Sequence, residues 1–371
     1  MNRGGAETMI MNIYRNINYM SFNFDFITFT DKESDYDKEI LKLGGRIFYV
    51  KPFSLLNPLR FIEDLRQVIQ KNGPFHAVHA HTLFNIGLIA LAARKEKIKL
   101  RIAHAHSTRD TLNDNIVRKM YQRIMKHLII RNANSLIACG KEAGVFLFGK
   151  EFERKGMIVP NAVDLDKYLT VSSDDITNLK KKLEIGENIF IIGQVGTLNE
   201  IKNYHYSISI AQRLKNIGFE FCMIFVGDGD LRKNLELEVE EKGLSSYVRF
   251  VGLRNDVPLF LNIFDLFIMP SLYEGLPLAL IEAQATGIPC IVSSKVTSEA
   301  DIGLGLVEFV NIDQNHEEWV ERILAKKTDG CIIDVKDIKS KFRINKYDIK
   351  SNSDLYLDLY KLRRIEIERL L

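Results

Sequence analysis

The stretch Pro270-Ser271-Leu272-Tyr273-Glu274-Gly275-Leu276-Pro277-Leu278-Ala279-Leu280-Ile281-Glu282-Ala283-Gln284-Ala285-Thr286-Gly287-Ile288-Pro289 decides the fold of this chain. An apolar run, Leu266 to Met269, precedes it and reads as a buried strand. A turn with Gly275 follows. Pro277 is expected at the first position of a helix, where its missing N–H costs nothing. Leu278 to Ala285 are good helix formers, and Gly287 sits where a helix ends. Pro289 to Val292 then reads as a second strand. A helix that opens on a glycine turn offers free backbone N–H groups and the positive end of its dipole, an anion site suited to a diphosphate. Glu274 stands just before that helix. Glu282 lies eight residues later, about 12 Å along the axis, too far for the two carboxylates to share a proton. They are spaced to bracket an elongated ligand.

Two glutamates flanking seven residues, with Gly275-Leu276-Pro277 after the first and a buried strand before it, resemble the nucleotide-sugar motif of the retaining glycosyltransferases of family 4. The resemblance implies that Glu274 contacts the transferred sugar and Glu282 the ribose. It also implies that the N–H groups of Gly275 and Leu276 hold the diphosphate.

Composition sets the outer limits. The chain has 371 residues, which suggests two domains of ordinary size. A hydrophobic fraction of 46% and a charged fraction of 27% are those of a globular protein. A net charge of +3 is too small to point to nucleic acid. Cys139, Cys222, Cys290 and Cys331 are scattered without a Cys-x-x-Cys pair, so neither a disulfide framework nor a zinc site is expected. No apolar run approaches the roughly 20 residues that span a bilayer. No signal peptide is legible. The expected location is the cytoplasm, or the inner face of the plasma membrane.

The opening, Met1-Asn2-Arg3-Gly4-Gly5-Ala6-Glu7-Thr8, leads straight into a helical pattern over Met9 to Ile17. Gly4-Gly5 ahead of a helix is a turn at which backbone can approach a phosphate. In the resembling transferases an apolar strand precedes the Gly-Gly-x-Glu loop, so the chain is expected to begin inside its first fold unit. Strand and helix patterns then alternate. Strands are expected at Phe22–Phe29, Arg46–Val50, Ala77–Ala80 and Leu100–Ala105, with helices at Asn57–Lys71 and Leu83–Lys95. Such alternation means a parallel sheet with helices on both faces.

Two histidine groups fall at strand ends, His76, His79 and His81 in one and His104 and His106 in the other. The C-terminal ends of parallel strands are where such sheets bind ligands. Alternation puts His104 and His106 on one side. A loop role and a metal role both remain open from the residues alone. The resemblance implies no metal and no cofactor, and it makes His106 the active-site histidine, with His81 as second candidate.

Asn115 to Arg131 carries Arg118, Lys119, Arg123, Lys126, His127 and Arg131 among Ile116, Met120, Ile124, Leu128 and Ile129. It reads as an amphipathic basic helix. Two placements fit: against the sheet with a solvated basic face, or on an anionic membrane. Pro160 to Asp164 reads as a hinge, and Val171 to Asn178 as a polar linker surface.

The second half opens with a strand over Asn188–Val195. Gly196-Thr197-Leu198-Asn199-Glu200-Ile201-Lys202-Asn203 follows, then a helix to Lys215. By resemblance this is the donor-diphosphate loop, with Lys202 on the phosphates. Thr197 stands where most members carry arginine. Arginine presents a planar fork to two phosphate oxygens, and threonine offers one hydroxyl. Arg254 is a candidate to supply part of that charge. Leu253 and Arg254 fall where the resembling enzymes hold the base, mostly through main chain.

The fold class expected is α/β: two Rossmann-like domains facing a cleft, the glycosyltransferase B-type arrangement. The domains are expected at 1–160, completed by a last helix over 347–371, and at 161–346. The function implied is transfer of a sugar from a nucleotide-diphosphate sugar to a hydroxyl of a glycan or lipid-linked acceptor, with retention. Catalysis falls to His106, Glu274 and Lys202. The donor site comprises Gly4, Gly5, Gly196, Thr197, Lys202, Leu253, Arg254, Glu274, Gly275, Leu276, Pro277 and Glu282. Two other readings compete. One is a nucleotide-sugar-binding partner subunit that has lost catalysis, suggested by Thr197. The other is a nucleotide-sugar epimerase of the same fold, for which the sequence carries no further acid and base pair.

Overall fold

The computed structural model describes residues 4–17, 22–30, 32–110, 115–313, 316–327 and 333–368. It divides into two compact units, one of Met1–Ala162 with Ile349–Leu371, the other of Val163–Asp348. Met1 to Arg3 and Cys331 lie outside the described residues.

In the first unit the strands are β1 (Phe26–Thr28), β2 (Ile47–Tyr49), β3 (Ala77–Ala80), β4 (Leu100–Ala105), β5 (Ser135–Ala138) and β6 (Gly156–Ile158). Every pairing among them is parallel. β1 is shorter than the Phe22–Phe29 expected from the apolar run. Phe22 and Phe24 instead pack their rings on Tyr360 of the last helix, Ile349–Glu368. That helix joins this unit's core. Its Ile349, Tyr356 and Leu359 pack with Met9 and Ile13 of the helix Gly5–Asn16 and with Leu100 and Ile102 of β4. The helix Pro58–Asn72 starts as its sequence dictates: Pro58 leads, the Asn57 side chain accepts from Arg60 N at 3.2 Å, and Phe61, Ile62, Leu65 and Ile69 form the buried stripe.

The described strands of this unit form two sheets rather than one, β1-β2 and β3-β4-β5-β6. A cavity of about 1460 Å³ lies along the edges of β1 and β3, lined by Ile10, Phe24, Phe26, Thr28, Val78 and His79 among others.

The second unit holds β7 (Phe190–Val195), β8 (Phe221–Val226), β9 (Val248–Phe250), β10 (Leu266–Met269), β11 (Cys290–Ser293) and β12 (Val307–Val310) in the order β12-β11-β10-β7-β8-β9. All its pairings are parallel. Every residue of β7, β8, β10 and β11 is buried, as continuous apolar runs covered on both faces require. The strand order reverses between β7 and β10. That reversal is the topological switch point, outside whose carboxyl ends doubly wound sheets take their ligands.

Three boundaries differ from expectation for physical reasons. Val171 to Asn178 is not a linker surface: Ser173–Lys182 is a helix, capped by Ser172 Oγ accepting from Asp174 N at 3.2 Å. Asp174 and Asp175 in its first turn and Lys180 to Lys182 in its last match the helix dipole, so few apolar residues are needed. Pro277 is the cap rather than the first helical residue. Its ψ of 114° is extended, and the helix runs Leu278–Ala285. The run Leu304 to Val310 also reads as a strand, but β12 begins only at Val307, Gly305 turning the backbone before it at a φ of +71°.

Candidate active site

Two loops meet at the switch point of the second unit. One follows β7 and carries Gly196 to Asn203. The other follows β10 and carries Pro270 to Pro277. The first is shaped by close packing. Leu198 N donates to Asp228 O at 3.0 Å, and Gly196 N to Val226 O at 3.0 Å. Gly227 has a φ of +141°, and a Cβ there would sit 2.0 Å from Gly196 O. Only glycine permits that approach. The Tyr204 hydroxyl, on a fully buried side chain, donates to Gly196 O at 2.9 Å.

Asn199 then caps a short turn over Glu200–Lys202, its Oδ1 accepting from Lys202 N at 3.1 Å. Gln194 Nε2 donates to Lys202 O at 2.8 Å, and Ser207 Oγ donates to Gln194 Oε1 at 2.6 Å. Asn203 adopts the left-handed conformation with φ of 54°. Its Nδ2 donates to Pro270 O at 3.1 Å, and Leu272 N donates to Ile201 O at 2.8 Å. The two loops are thereby fixed to each other.

That fixation sets the central contact. Lys202 Nζ donates to Glu274 Oε1 in an ion pair. Ser271 Oγ donates to the same oxygen at 3.1 Å, and Ser271 is fully buried. Glu274 also bridges to Val296 in parallel fashion. Gly275 and Leu276 follow, Leu276 buried, ahead of the helix Leu278–Ala285. The arrangement places a cation, a carboxylate and a helix N-terminus in one small region, which suits a ligand with anionic and hydroxyl groups side by side.

Glu282 does not join this group. Its Oε1 accepts from the Tyr168 hydroxyl at 2.8 Å. Burial pushes its carboxyl up to about 7, against the lowering effect of that hydrogen bond. Arg254 does not join it either. The Arg254 fork grips Asp256 through Nε at 2.8 Å and a terminal nitrogen at 2.7 Å, and it lies 5.0 Å over the Phe260 ring. It is engaged by Asp256, so supplying charge at the Thr197 position would require it to leave or share that partner. Thr197 and Leu253 are exposed.

In the first unit Gly4 is extended and Gly5 begins the helix Gly5–Asn16, with Thr8 N donating to Gly4 O at 2.9 Å. The histidines form one stack across β3 and β4. The rings of His79 and His81 lie 4.2 Å apart, and those of His104 and His106 lie 4.0 Å apart. His79 Nδ1 is 2.8 Å from the Tyr360 hydroxyl and its Nε2 is 3.2 Å from His104 Nδ1. His81 Nδ1 is 2.8 Å from His106 Nε2. Burial drives all four below the usual histidine value, with repulsion from neighbouring histidines adding to it for His79, His81 and His104; His79 falls to about 3 and His106 to about 4. They are neutral at pH 7. His79, His81 and His104 bring one nitrogen each within 4.8 Å of one another, but His79 Nε2 and His104 Nδ1 already share a proton. His106 Nδ1 and His104 Nε2 are buried without a hydrogen-bond partner.

Ser271, Tyr168, Gln194, Asn199 and Tyr360 were not singled out from the sequence. Asn199 was detectable, since an Asn three residues before Lys202 has the spacing of a capping side chain. Tyr168 reaches Glu282 from 114 residues away, and no local signal carries that.

Comparison with known proteins accords with this geometry. Residues 3–167 match the model named Glycosyltransferase Family 4, and residues 175–338 match that of Glycosyl transferases group 1. EpsF of Bacillus subtilis (strain 168), assigned as a glycosyltransferase, is 39% identical over 98% of this chain and 94% of its own length. The UDP-Gal:alpha-D-GlcNAc-diphosphoundecaprenol alpha-1,3-galactosyltransferase of Escherichia coli is 29% identical over 89% of this chain and 87% of its own. Among solved structures, Anabaena HepE in complex with UDP and glucose superposes with a TM-score of 0.72 at 20% identity, over 99% of this chain and 96% of that one. WaaG, a lipopolysaccharide glycosyltransferase, does so at 0.68 and 15%, over 97% of each. The chain belongs to the family 4, group 1 glycosyltransferases and has their fold of two Rossmann-like domains.

Proposed function

We propose that this glycosyltransferase moves a sugar from a nucleotide-diphosphate sugar to a hydroxyl of a lipid-linked glycan acceptor, retaining the anomeric configuration, in assembly of a capsule or exopolysaccharide. The observation that carries the reading is the Lys202–Glu274 pair, joined by Ser271, at the switch point of the second unit. Lys202 and the N–H groups of Gly275 and Leu276 receive the diphosphate. Leaving-group charge grows there in the transition state, so a fixed cation and helix dipole stabilise it. Glu274 aligns the sugar hydroxyls while its ion pair holds it in place. Glu282 takes the ribose, with Tyr168 orienting it. The resemblance also assigns Gly4, Gly5 and His106 of the first unit to the reaction. No nucleophile is assigned, and the leaving phosphate acts as base on the retained face. The acceptor reading draws support from the E. coli relative, whose name specifies a diphosphoundecaprenol acceptor, and from the Staphylococcus aureus relative named for capsular polysaccharide biosynthesis.

The test is incubation with a panel of nucleotide sugars and a lipid-diphosphate sugar acceptor, with product anomers assigned by NMR. A product with the donor's configuration supports the reading, and an inverted product refutes retention. One observation favours a second reading. Thr197 replaces the usual arginine, and Arg254 is held by Asp256. A binding subunit without catalysis would bind the donor yet neither hydrolyse nor transfer it. An epimerase would instead convert free donor without acceptor.

A further inference from the structure

Strand β7 is buried along its whole length, yet it carries an amide at Gln194. Alternation puts Gln194 on the face of Ile192. Ile192 belongs to one apolar core with Ile208 and Ala211 of the helix Tyr204–Asn216. A hydroxyl, Ser207, stands on that helix beside Ile208. Gln194 is 2% exposed and Ser207 is 0%. Taking an amide and a hydroxyl out of water costs free energy that their hydrogen bonds do little more than recover. A methionine at 194 and an alanine at 207 would fill nearly the same space with apolar atoms. Packing of β7 against its helix therefore gives no reason for the polar pair.

The pair reaches one backbone group. Ser207 Oγ donates to Gln194 Oε1 at 2.6 Å, and Gln194 Nε2 donates to Lys202 O at 2.8 Å. A backbone carbonyl only accepts, so the amide must turn its nitrogen to Lys202 and its oxygen to Ser207. The serine thus fixes which end of the amide faces the loop. Lys202 is held at its other backbone group too, its N–H donating to Asn199 Oδ1 at 3.1 Å. Both peptide groups of one lysine are satisfied by side chains rather than by a helix or sheet ladder. One of those side chains stands on a fully buried strand. A lysine ammonium rides on a flexible four-carbon stem, so its position is only as definite as the backbone that carries it.

We propose that Gln194 and Ser207 are positioning residues of the donor site: they tether the Lys202 carbonyl to β7, so that Lys202 Nζ stands against Glu274 ready for a diphosphate. Neither residue meets the donor itself. A group fixed to a rigid strand by a supporting hydrogen bond holds its geometry better than one left to its loop. The inference deepens the donor-site reading and rests on it for its consequence in transfer. The tether itself does not depend on that reading.

The experiment compares full-length wild type, Gln194→Met and Ser207→Ala, each with and without Lys202→Ala. Thermal midpoints, amide hydrogen exchange, UDP affinity and steady-state transfer are measured. Gln194→Met should keep a thermal midpoint near that of the wild type, since an apolar side chain of like shape replaces a polar one. Exchange over 199–204 should rise on the order of 10-fold, the worth of about one hydrogen bond, with β8 unchanged. The expected fall in kcat is on the order of 10- to 100-fold, as for a small misplacement of a reacting group, with donor KM moved less. Ser207→Ala should act in the same direction and more weakly, and it decides the matter where Gln194→Met does not fold. Added to Lys202→Ala, either change should cost little more, because both act through the same lysine. Unchanged exchange over 199–204 would overturn the proposal. So would losses that add in full to those of Lys202→Ala, the mark of a merely structural role. A loosened loop together with UDP affinity and transfer indifferent to Lys202→Ala would fault the donor-site reading and leave the tether standing.

Discussion

Lys202 and Glu274 pair across the point where the strand order of the second sheet reverses, although 72 residues separate them in the chain. The pairing is imposed by backbone, not only by charge. Asn203 Nδ2 on Pro270 O and Leu272 N on Ile201 O lock one loop to the other before either side chain is placed. The pair is only partly exposed, with side-chain accessibilities of 18% and 15%. It is preorganised for a ligand that competes for both partners.

If Lys202 meets the leaving diphosphate, as proposed, its replacement by alanine removes that cation. The expected outcome is a fall in kcat of about 10²–10³-fold, with a smaller change in donor Kd. Lys202→Arg should recover only part of it, because the fork does not reproduce a point charge held against Glu274. Steady-state kinetics with varied donor separates the two effects.

Glu282 gives a pH signature. Its carboxyl, pushed up to about 7 by burial, is largely protonated at pH 6 and ionised at pH 8. On the proposed reading an ionised Glu282 accepts from both ribose hydroxyls, so nucleotide affinity should rise with pH through about 7. Glu282→Gln should flatten that dependence and weaken binding about 10- to 100-fold, the worth of a charge-assisted hydrogen bond. Calorimetric titration with UDP across pH checks both. Because the folded value lies above the unfolded one, this group's contribution to stability runs the other way and diminishes as pH rises through about 7.

The loop after β7 depends on a glycine elsewhere. Gly227→Ala places a Cβ within 2.0 Å of Gly196 O at a φ of +141°. Backbone must move, and the cost is expected to be ~3 kcal/mol. Denaturant unfolding should show the loss, and donor binding should fall with it because Gly196 positions Lys202.

The histidine stack should show its burial on acidification. His79 and His106 are driven to about 3 and about 4, while the unfolded chain titrates near 6.5. Between those values the unfolded state binds more protons, so stability falls as pH drops below about 6.5. A His79→Gln, His106→Gln variant should lose less on acidification than the wild type, as read by thermal midpoints from pH 7 to pH 5. Dialysis against a chelator should leave transfer unchanged, since the resemblance implies no metal and hydrogen bonds join His79 Nε2 to His104 Nδ1 and His81 Nδ1 to His106 Nε2.

Much of this was legible in the sequence, and the reasons are local. The run Leu266–Met269, the Gly275 turn and the helix formers after Pro277 specify strand, turn and helix with little help from elsewhere. The family 4 motif, from Glu274 to Glu282, lies within that one stretch. What the sequence did not carry was long-range. Nothing near Glu282 announces Tyr168, 114 residues away. The helix Ile116–Asn132 was readable as amphipathic and basic. Which side of it faces inward depends on Phe84, Phe53 and the helix Ile86–Lys95, whose Gly87 lies against Met125 and Leu128, and only tertiary packing decides that.

The central claim is that the Lys202–Glu274 region receives the diphosphate of a nucleotide sugar. Its most direct test is the thermal shift of the wild-type chain and of Lys202→Ala with UDP, UMP and uridine. Stabilisation of the wild type by UDP well beyond that by UMP, with the difference lost in Lys202→Ala, is the predicted result. Equal stabilisation by UDP and UMP in the wild type, or a UDP effect unchanged in Lys202→Ala, would contradict it.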